Sequence, residues 1–386
     1  MKSLKIALLT YSTKPRGGVV HTLNLAEELS RLKHRVHVYA LSSGEGFFRT
    51  VSVPYTLIPC PTPSEETIDE KVKRYINIYS NFLVSASRDY EIYHAEDCVS
   101  ANALLNLRNW GLIKSFVRTI HHIDDFTSQS LIDCQIRSIV EPDYLITVSK
   151  FWKKELRSRY SLSPTVIHNG VDVERFNIQE RLSKEKAKDI FSVSGCKVIL
   201  SIGGIEPRKN TLTSLRAFKI VSQYFKAKGQ RLVWLIGGGE TLFDYRAYRE
   251  EFFSEIKSME LNLGKDIILL GAVPDGSMPN LYRAADALVF PSVKEGWGLV
   301  VLEAMASELP VVASSIEPLT EYLKDEENAL LVSPMDYKSL AQRIISVLEK
   351  PELRDKLIKN GKKTAEVYSW RNTALRHAEF YSRILV

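Results

Sequence analysis

The chain has 386 residues, 45% of them hydrophobic and 25% charged, and a formal net charge of +6. That composition is ordinary for a globular protein, and the length allows two domains. The cationic excess is shared evenly between the two halves, which argues against a dedicated nucleic-acid binder. Mild basicity of this kind still suits phosphorylated ligands or anionic lipid.

The four cysteines, Cys60, Cys98, Cys134 and Cys196, include no C-x-x-C pair, so neither a zinc site nor a redox dithiol is indicated. The start, Met1–Thr10, has too short an apolar core for an export signal and reads as a buried strand. Together these features point to a reducing cytoplasm. No run of 18 apolar residues occurs, so no transmembrane helix is expected.

In chain order, the first strand expectations are Lys5–Tyr11, Val36–Leu41, Ile92–His94, Ser115–Ile120, Tyr144–Val148 and Thr165–Ile167. Between the first two, Val19–Lys33 carries Val20, Leu23, Leu25, Leu29 and Leu32 at near-helical spacing. Alternating strands and helices predict an α/β class with a parallel sheet covered on both faces. Arg16-Gly17-Gly18-Val19-Val20-His21 then falls at the carboxyl end of the first strand, where open α/β sheets take ligands. It is not a full G-x-G-x-x-G, so it does not support a dinucleotide site. The stretch Gly44–Ser64 is weakly patterned.

His121 ends a strand and should point into the same crevice, where it could bond a sugar or move a proton. The run His121-His122-Ile123-Asp124-Asp125 also invites a metal reading. Adjacent residues at a strand end face opposite ways, however, so both histidines on one ion is awkward, and no metal is expected. Lys150–Tyr160 has five cations, one anion and interleaved aromatics on an expected helix. Such a helix is either a solvated face or a peripheral contact with an anionic membrane, on its inner side.

The second half repeats the plan. Strands are expected at Lys197–Ile202, Arg231–Ile236, Ile267–Leu270, Ala287–Phe290, Val311–Ala313 and Ala329–Val332. Helices are expected at Thr211–Lys228, Leu242–Leu261, Met278–Ala284, Leu299–Ser307, Leu319–Lys324, Tyr337–Glu349 and Ser369–Val386. The join falls in Asn169–Phe176, which sets domains at 1–175 and 176–368, followed by a terminal helix at 369–386.

Two loops of this half carry chemistry. Ser201–Asn210 follows a buried strand and precedes a helix, and its Arg208 and Lys209 can neutralise a diphosphate, including charge growing on a departing nucleotide. Lys294–Glu303 also follows a strand. Glycines 296 and 298 allow close backbone approach, the helix end favours an anion, and Glu303, one turn in, can accept from a ribose diol. No G-x-S-x-G, H-E-x-x-H or G-x-x-x-x-G-K-[ST] is present.

These features occur in an order that resembles the retaining glycosyltransferases of family 4, within the group-1 glycosyltransferases of GT-B fold. The matching parts are Gly17-Gly18, His121, Val148-Ser149-Lys150, His168–Phe176, Gly203–Asn210, Gly237-Gly238-Gly239-Glu240, Leu281–Asp286 and the E-x7-E pair Glu295/Glu303. The resemblance spans nearly the whole chain.

It implies two Rossmann-like domains facing across a central cleft, with the acceptor mainly on the first and the nucleotide-sugar donor mainly on the second. Glu295 would touch hydroxyls of the transferred sugar, and the backbone of Gly296, Trp297 and Gly298 would line it. The Leu299 and Val300 amides would meet phosphate, Glu303 the ribose, and Val273 the base. Gly17, Gly18 and Gly204 join the donor set; Glu295, Lys209, Arg208 and His121 are the catalytic candidates. The resemblance also implies that the terminal helix returns to the first domain, that a nucleoside-diphosphate sugar is co-substrate with no separate cofactor, and that no metal is needed.

Many members have an arginine at the second position of Gly203-Gly204. Its place here falls to Arg208, within Glu206-Pro207-Arg208-Lys209-Asn210. A sugar phosphorylase, a nucleotide-sugar epimerase or a non-catalytic nucleotide-sugar binder could use the same fold; retention of Lys209, Glu295 and Glu303 argues against the last.

Overall fold

A computed structural model describes residues 2–61, 63–86, 89–177, 182–239 and 245–385. In chain order its elements begin with β1 (Lys5–Thr10), α1 (Gly17–Arg31), β2 (Arg35–Ser42), β3 (Tyr55–Pro59), α2 (Ile68–Ser85), β4 (Ile92–Ala95) and α3 (Cys98–Asn109). They continue with β5 (Val117–Ile120), α4 (Gln129–Val140), β6 (Tyr144–Thr147), α5 (Lys150–Tyr160), β7 (Thr165–Val166), α6 (Val173–Phe176) and α7 (Lys184–Ile190). Then come β8 (Lys197–Ile202), α8 (Thr211–Ala227), β9 (Leu232–Gly237), α9 (Arg246–Ser258), β10 (Ile267–Gly271), α10 (Met278–Ala284), β11 (Ala287–Phe290) and α11 (Leu299–Ala306). The last are β12 (Val311–Ser314), β13 (Leu330–Val332), α12 (Tyr337–Glu349), α13 (Pro351–Val367) and α14 (Trp370–Ile384).

The chain divides into two compact units, Met1–Asn169 with Trp370–Val386, and Gly170–Ser369. The second unit starts ahead of the expected join at 175. Val171 N donates to Tyr368 O at 2.8 Å, and Phe176 lies edge-on to Tyr282 at 5.6 Å, so 170–176 is tied to the second unit.

In the first unit a parallel seven-stranded sheet runs β3-β2-β1-β4-β5-β6-β7. Strand alternation sorts its apolar residues onto two cores. Ile6 and Leu8 pack with Leu23 and Leu29 of α1 and with Ala378 and Tyr381 of α14. Ala7 and Leu9 face Tyr79 of α2 and Leu104 of α3. The terminal helix is therefore part of the first unit's core, and Val386 lies outside the described residues.

In the second unit a parallel six-stranded sheet runs β10-β9-β8-β11-β12-β13. Trp234, Phe218, Phe225 and Phe252 centre its core. Both sheets reverse strand order next to their first strand, at β1/β4 and at β8/β11. Loops leaving these carboxyl ends diverge to opposite sides and open a crevice there.

Two further expectations change. The stretch 44–64 contains β3. Leu319–Lys324 holds only a 3-10 turn at Leu319–Glu321. The helix expected from Leu242 is α9; Glu240 and residues 242–244 lie outside the described residues. No helix among the described residues is long and apolar enough to cross a membrane.

Candidate functional site

In the second unit the loops after β8 and β11 meet at the strand reversal. Val293 N donates to Arg208 O at 2.9 Å, and Asn210 Nδ2 donates to Pro291 O at 3.1 Å. These bonds bring Lys209 Nζ to 2.6 Å from Glu295 Oε1 and over the Phe290 ring at 4.5 Å. Arg208 lies 3.6 Å from the same oxygen and 2.9 Å from Glu206 Oε2, with its side chain 45% exposed. Burial pulls the Lys209 ammonium down against the pull of Glu295, while burial of Glu295 is outweighed by Lys209 and Arg208, which hold it below the usual carboxylate range. The loop thus presents one exposed and one half-buried cation around a buried carboxylate.

Gly298 caps α11 at φ +89 without a side-chain cap bond. A Cβ there would stand 2.7 Å from Leu319 Cδ2 and 2.9 Å from the Tyr322 hydroxyl, so glycine is required on both grounds. At the start of α11 the Leu299 and Val300 amides precede the helix's own hydrogen-bond ladder, whereas Val301 N already donates to Gly298 O at 3.0 Å. Gly296 is half-buried in the loop before it. Trp297 is the inward anchor of that loop. Its ring is buried against Tyr322 at 4.8 Å and Tyr368 at 5.3 Å, and its carbonyl accepts from the Tyr322 hydroxyl at 3.0 Å.

Glu303 accepts from the Tyr282 hydroxyl at 2.7 Å, and burial pushes its carboxyl upward. Gly204 packs on the Gly238-Gly239 backbone: a Cβ on Gly238 would fall 2.3 Å from Gly204 N. Gly204 therefore meets a neighbouring loop of its own unit. Val273 lies against Gly237, where a Cβ would meet its Cγ2 at 3.4 Å.

In the first unit the corresponding position is lined by imidazoles. Gly17 and Gly18 are the first two residues of α1, whose cap, Arg16, makes no side-chain cap bond. Gly18 sits beside the His121 ring; a Cβ on it would contact Cδ2 at 3.8 Å. His121 Nε2 donates to Glu96 Oε2 at 3.1 Å, and His21 Nε2 lies 3.5 Å from the same oxygen. His94 Nε2 lies 3.5 Å from Glu96 Oε1 and 2.7 Å from the Thr119 hydroxyl, and its Nδ1 is 2.6 Å from the Tyr381 hydroxyl. His21 Nδ1 is 2.9 Å from Asn169 Oδ1, and the His21 ring meets Trp370 and His377 edge-on at 5.4 and 5.9 Å. Glu96, His21, His94 and His377 are fully buried.

Burial pushes His94 and His121 down to about 4 and His377 to about 3. Glu96 is held well below the carboxylate range because His94 and His21 outweigh its burial. His21, Glu96 and His121 are also the described residues whose metal-ligating atoms come together, within 4.8 Å. The run from His121 to Asp125 does not converge: His122 turns away to Asp124 at 3.1 Å.

Two family models cover most of the chain. Residues 15–175 match the model of glycosyltransferase family 4, and residues 183–364 match that of the group 1 glycosyl transferases. The chain is a group-1 glycosyltransferase. It is 28% identical to an uncharacterised glycosyltransferase of Methanocaldococcus jannaschii, over 98% of each chain. It is 26% identical to the phosphatidyl-myo-inositol mannosyltransferase of Mycobacterium tuberculosis, over 97% of this chain and 95% of that protein. A solved structure, Anabaena HepE in complex with UDP and glucose, superposes with a TM-score of 0.79 at 20% identity, covering 98% of this chain and 99% of that one. Such neighbours establish the GT-B fold.

Within this glycosyltransferase the motifs collect in two places. Arg208, Lys209, Glu295 and the α11 N-terminus share one site of the second unit, with Glu303 on the same helix. Gly17, Gly18 and His121 share one site of the first. Sequence reading missed Glu96, His94, His377, Tyr381 and Asn169. Glu96 follows His94 by two residues at a strand end, the spacing that puts both on one face. Trp370, His377 and Tyr381 recur at helical spacing on α14.

Proposed function

We propose that this glycosyltransferase moves a hexosyl-type group from a nucleoside-diphosphate sugar to a hydroxyl acceptor, with retention at the anomeric carbon. The observation that supports this reading most is the pairing of Lys209 and Arg208 with Glu295 beside the unsealed N-terminus of α11. Two cations and a helix end suit a diphosphate, and a buried carboxylate between them suits sugar hydroxyls. Anabaena HepE, of the same fold, was solved with UDP and glucose.

In the proposed front-face step the bond from the anomeric carbon to the diphosphate oxygen breaks. The acceptor oxygen bonds that carbon from the same side, and the acceptor proton passes to the leaving diphosphate. Arg208, Lys209 and the α11 amides stabilise the charge that develops there, the task a metal ion performs elsewhere. Glu303 holds the ribose diol and His121 a sugar hydroxyl.

Thermal stabilisation by a panel of UDP-, GDP- and ADP-sugars identifies the donor, since bound ligand raises apparent stability by mass action. Product analysis with that donor, labelled at the anomeric carbon, tests the reaction. A new glycoside with retained configuration, formed in the presence of a chelator, is expected. Turnover that needs inorganic phosphate, or isomerised donor without acceptor, would overturn the proposal.

A further inference from the structure

The buried histidine cluster of the first unit contains more than a family motif explains. Four rings, His21, His94, His121 and His377, surround a single carboxylate, Glu96. Three of those rings have no exposed surface, whereas the His121 side chain is 14% exposed. A ligand can therefore reach the cluster through His121 alone among the four.

The edge of His121 that faces inward is already committed. Its Nε2 lies 3.1 Å from Glu96 Oε2, in hydrogen-bond geometry. An ionised carboxylate only accepts, so the proton of that bond belongs to His121 Nε2. Burial keeps the His121 ring neutral at ordinary pH, and a neutral imidazole with a proton on Nε2 has a bare lone pair on Nδ1.

Glu96 is itself held in place. It follows β4 directly, and the groups around it come from every element packed there: His21 from α1, His94 from β4, Arg118 from β5, His377 and Tyr381 from α14. His94 is fixed in turn by the Thr119 and Tyr381 hydroxyls.

We propose that Glu96 is a positioning residue: by accepting the Nε2 proton of His121 it fixes that ring as an Nδ1 acceptor for a hydroxyl of the bound sugar. The acceptor oxygen of Glu96, rather than its contact with ligand, is what the reaction uses. This inference rests on the reading above that His121 meets a sugar hydroxyl. Its chemistry is distinct from that of the second unit's site, where charge is neutralised; here a neutral ring is held in one tautomer.

The test labels the histidines of the full chain with nitrogen-15 and records long-range proton–nitrogen spectra at pH 7.5. His121 is assigned by its disappearance in His121→Asn. The expected pattern has a protonated Nε2 and a bare Nδ1 in the wild type and in Glu96→Gln, whose amide oxygen still accepts. In Glu96→Leu the ring should show mixed tautomers, with kcat reduced roughly 10- to 100-fold, the range known for losing the partner that orients a metal-bound histidine. Glu96→Gln should recover most of that loss.

A proton on Nδ1 of wild-type His121 overturns the inference, as does an unchanged kcat in a folded Glu96→Leu. Stoichiometric metal in the purified protein, with the His121 signals shifted by its removal, overturns it too. If Glu96→Leu does not fold, the wild-type and Glu96→Gln spectra still decide. The spectra also stand apart from the proposed reaction: a wild type that transfers no sugar refutes the reaction while leaving the tautomer readable.

Discussion

The two units place their sites at the same point of the same fold, the reversal of strand order beside the first strand, and fill it with opposite chemistry. The first unit buries imidazoles around one carboxylate and locks them with α14. The second leaves a guanidinium 45% exposed and pairs an ammonium with a carboxylate on loops rich in glycine. Topology thus decides where a crevice forms, and loop residues decide what it binds. A buried carboxylate ringed by imidazoles suits a hydroxyl that must be oriented; paired cations at a helix end suit phosphates whose charge changes during reaction.

The comparison predicts that charge removal is most damaging in the second unit. Lys209→Ala is expected to reduce kcat/KM about 10²–10³-fold, the range seen when one preorganised stabilising group is removed. Steady-state assay, with thermal unfolding as a check on folding, tests it. Near-normal turnover would place the phosphates elsewhere.

The second expected effect is on stability. Gly238→Ala sets a Cβ 2.3 Å from Gly204 N at φ +139, so two backbones must separate. A loss of about 2–4 kcal/mol is expected from overpacking and backbone strain, read by denaturant unfolding. A smaller loss would show that the 203–204 and 237–239 loops are not rigidly packed.

Acid should separate the units. His94, His121 and His377 titrate ordinarily near 6.5, and in the fold near 4, 4 and 3. Between those values the unfolded chain binds protons that the folded unit refuses, so stability rises with pH. Acidification from 6.5 towards 4 should cost about 1.4 kcal/mol per pH unit for each ring. Glu96, depressed below 4.5, adds its loss only as pH falls below that value. In the second unit Glu303 is raised, so its contribution is retained in acid and lost as pH rises through its folded value. Hydrogen exchange at pH 7.5 and 5 should therefore show the first unit opening earlier; equal loss of protection in both would contradict the buried-imidazole picture.

The smallest effect is expected at Gly17. No atom lies within 4 Å of a Cβ there, so Gly17→Ala should change stability by less than about 0.5 kcal/mol. A several-fold rise in the KM of a substrate would mark its backbone as a ligand contact; an unchanged KM would remove Gly17 from the binding set.

Much of this was legible in the sequence because it is local. Strand alternation and helix spacing give α/β units, and loops such as Gly203–Asn210 and Lys294–Gly298 declare their chemistry through adjacent residues. The element α2 was equally readable in principle: Thr67 and Glu70 form a capping box at its start. Weak patterning hid β3, which pairs with β2 alone at the sheet edge. The helix expected at Leu319–Lys324 failed because a six-residue stretch is too short to sustain an α-helix by itself.

The sequence by itself determined the strands other than β3, the cation–glycine loops and the family resemblance, since each rests on neighbouring residues. Only the tertiary structure brought Lys209 to Glu295, turned Trp297 inward, and assembled His21, His94, Glu96, His121 and His377 from α1, β4, β5 and α14. Those partners are far apart along the chain and share no motif. What joins them is burial: a carboxylate taken out of water must be met by whatever donors the folded chain brings to it.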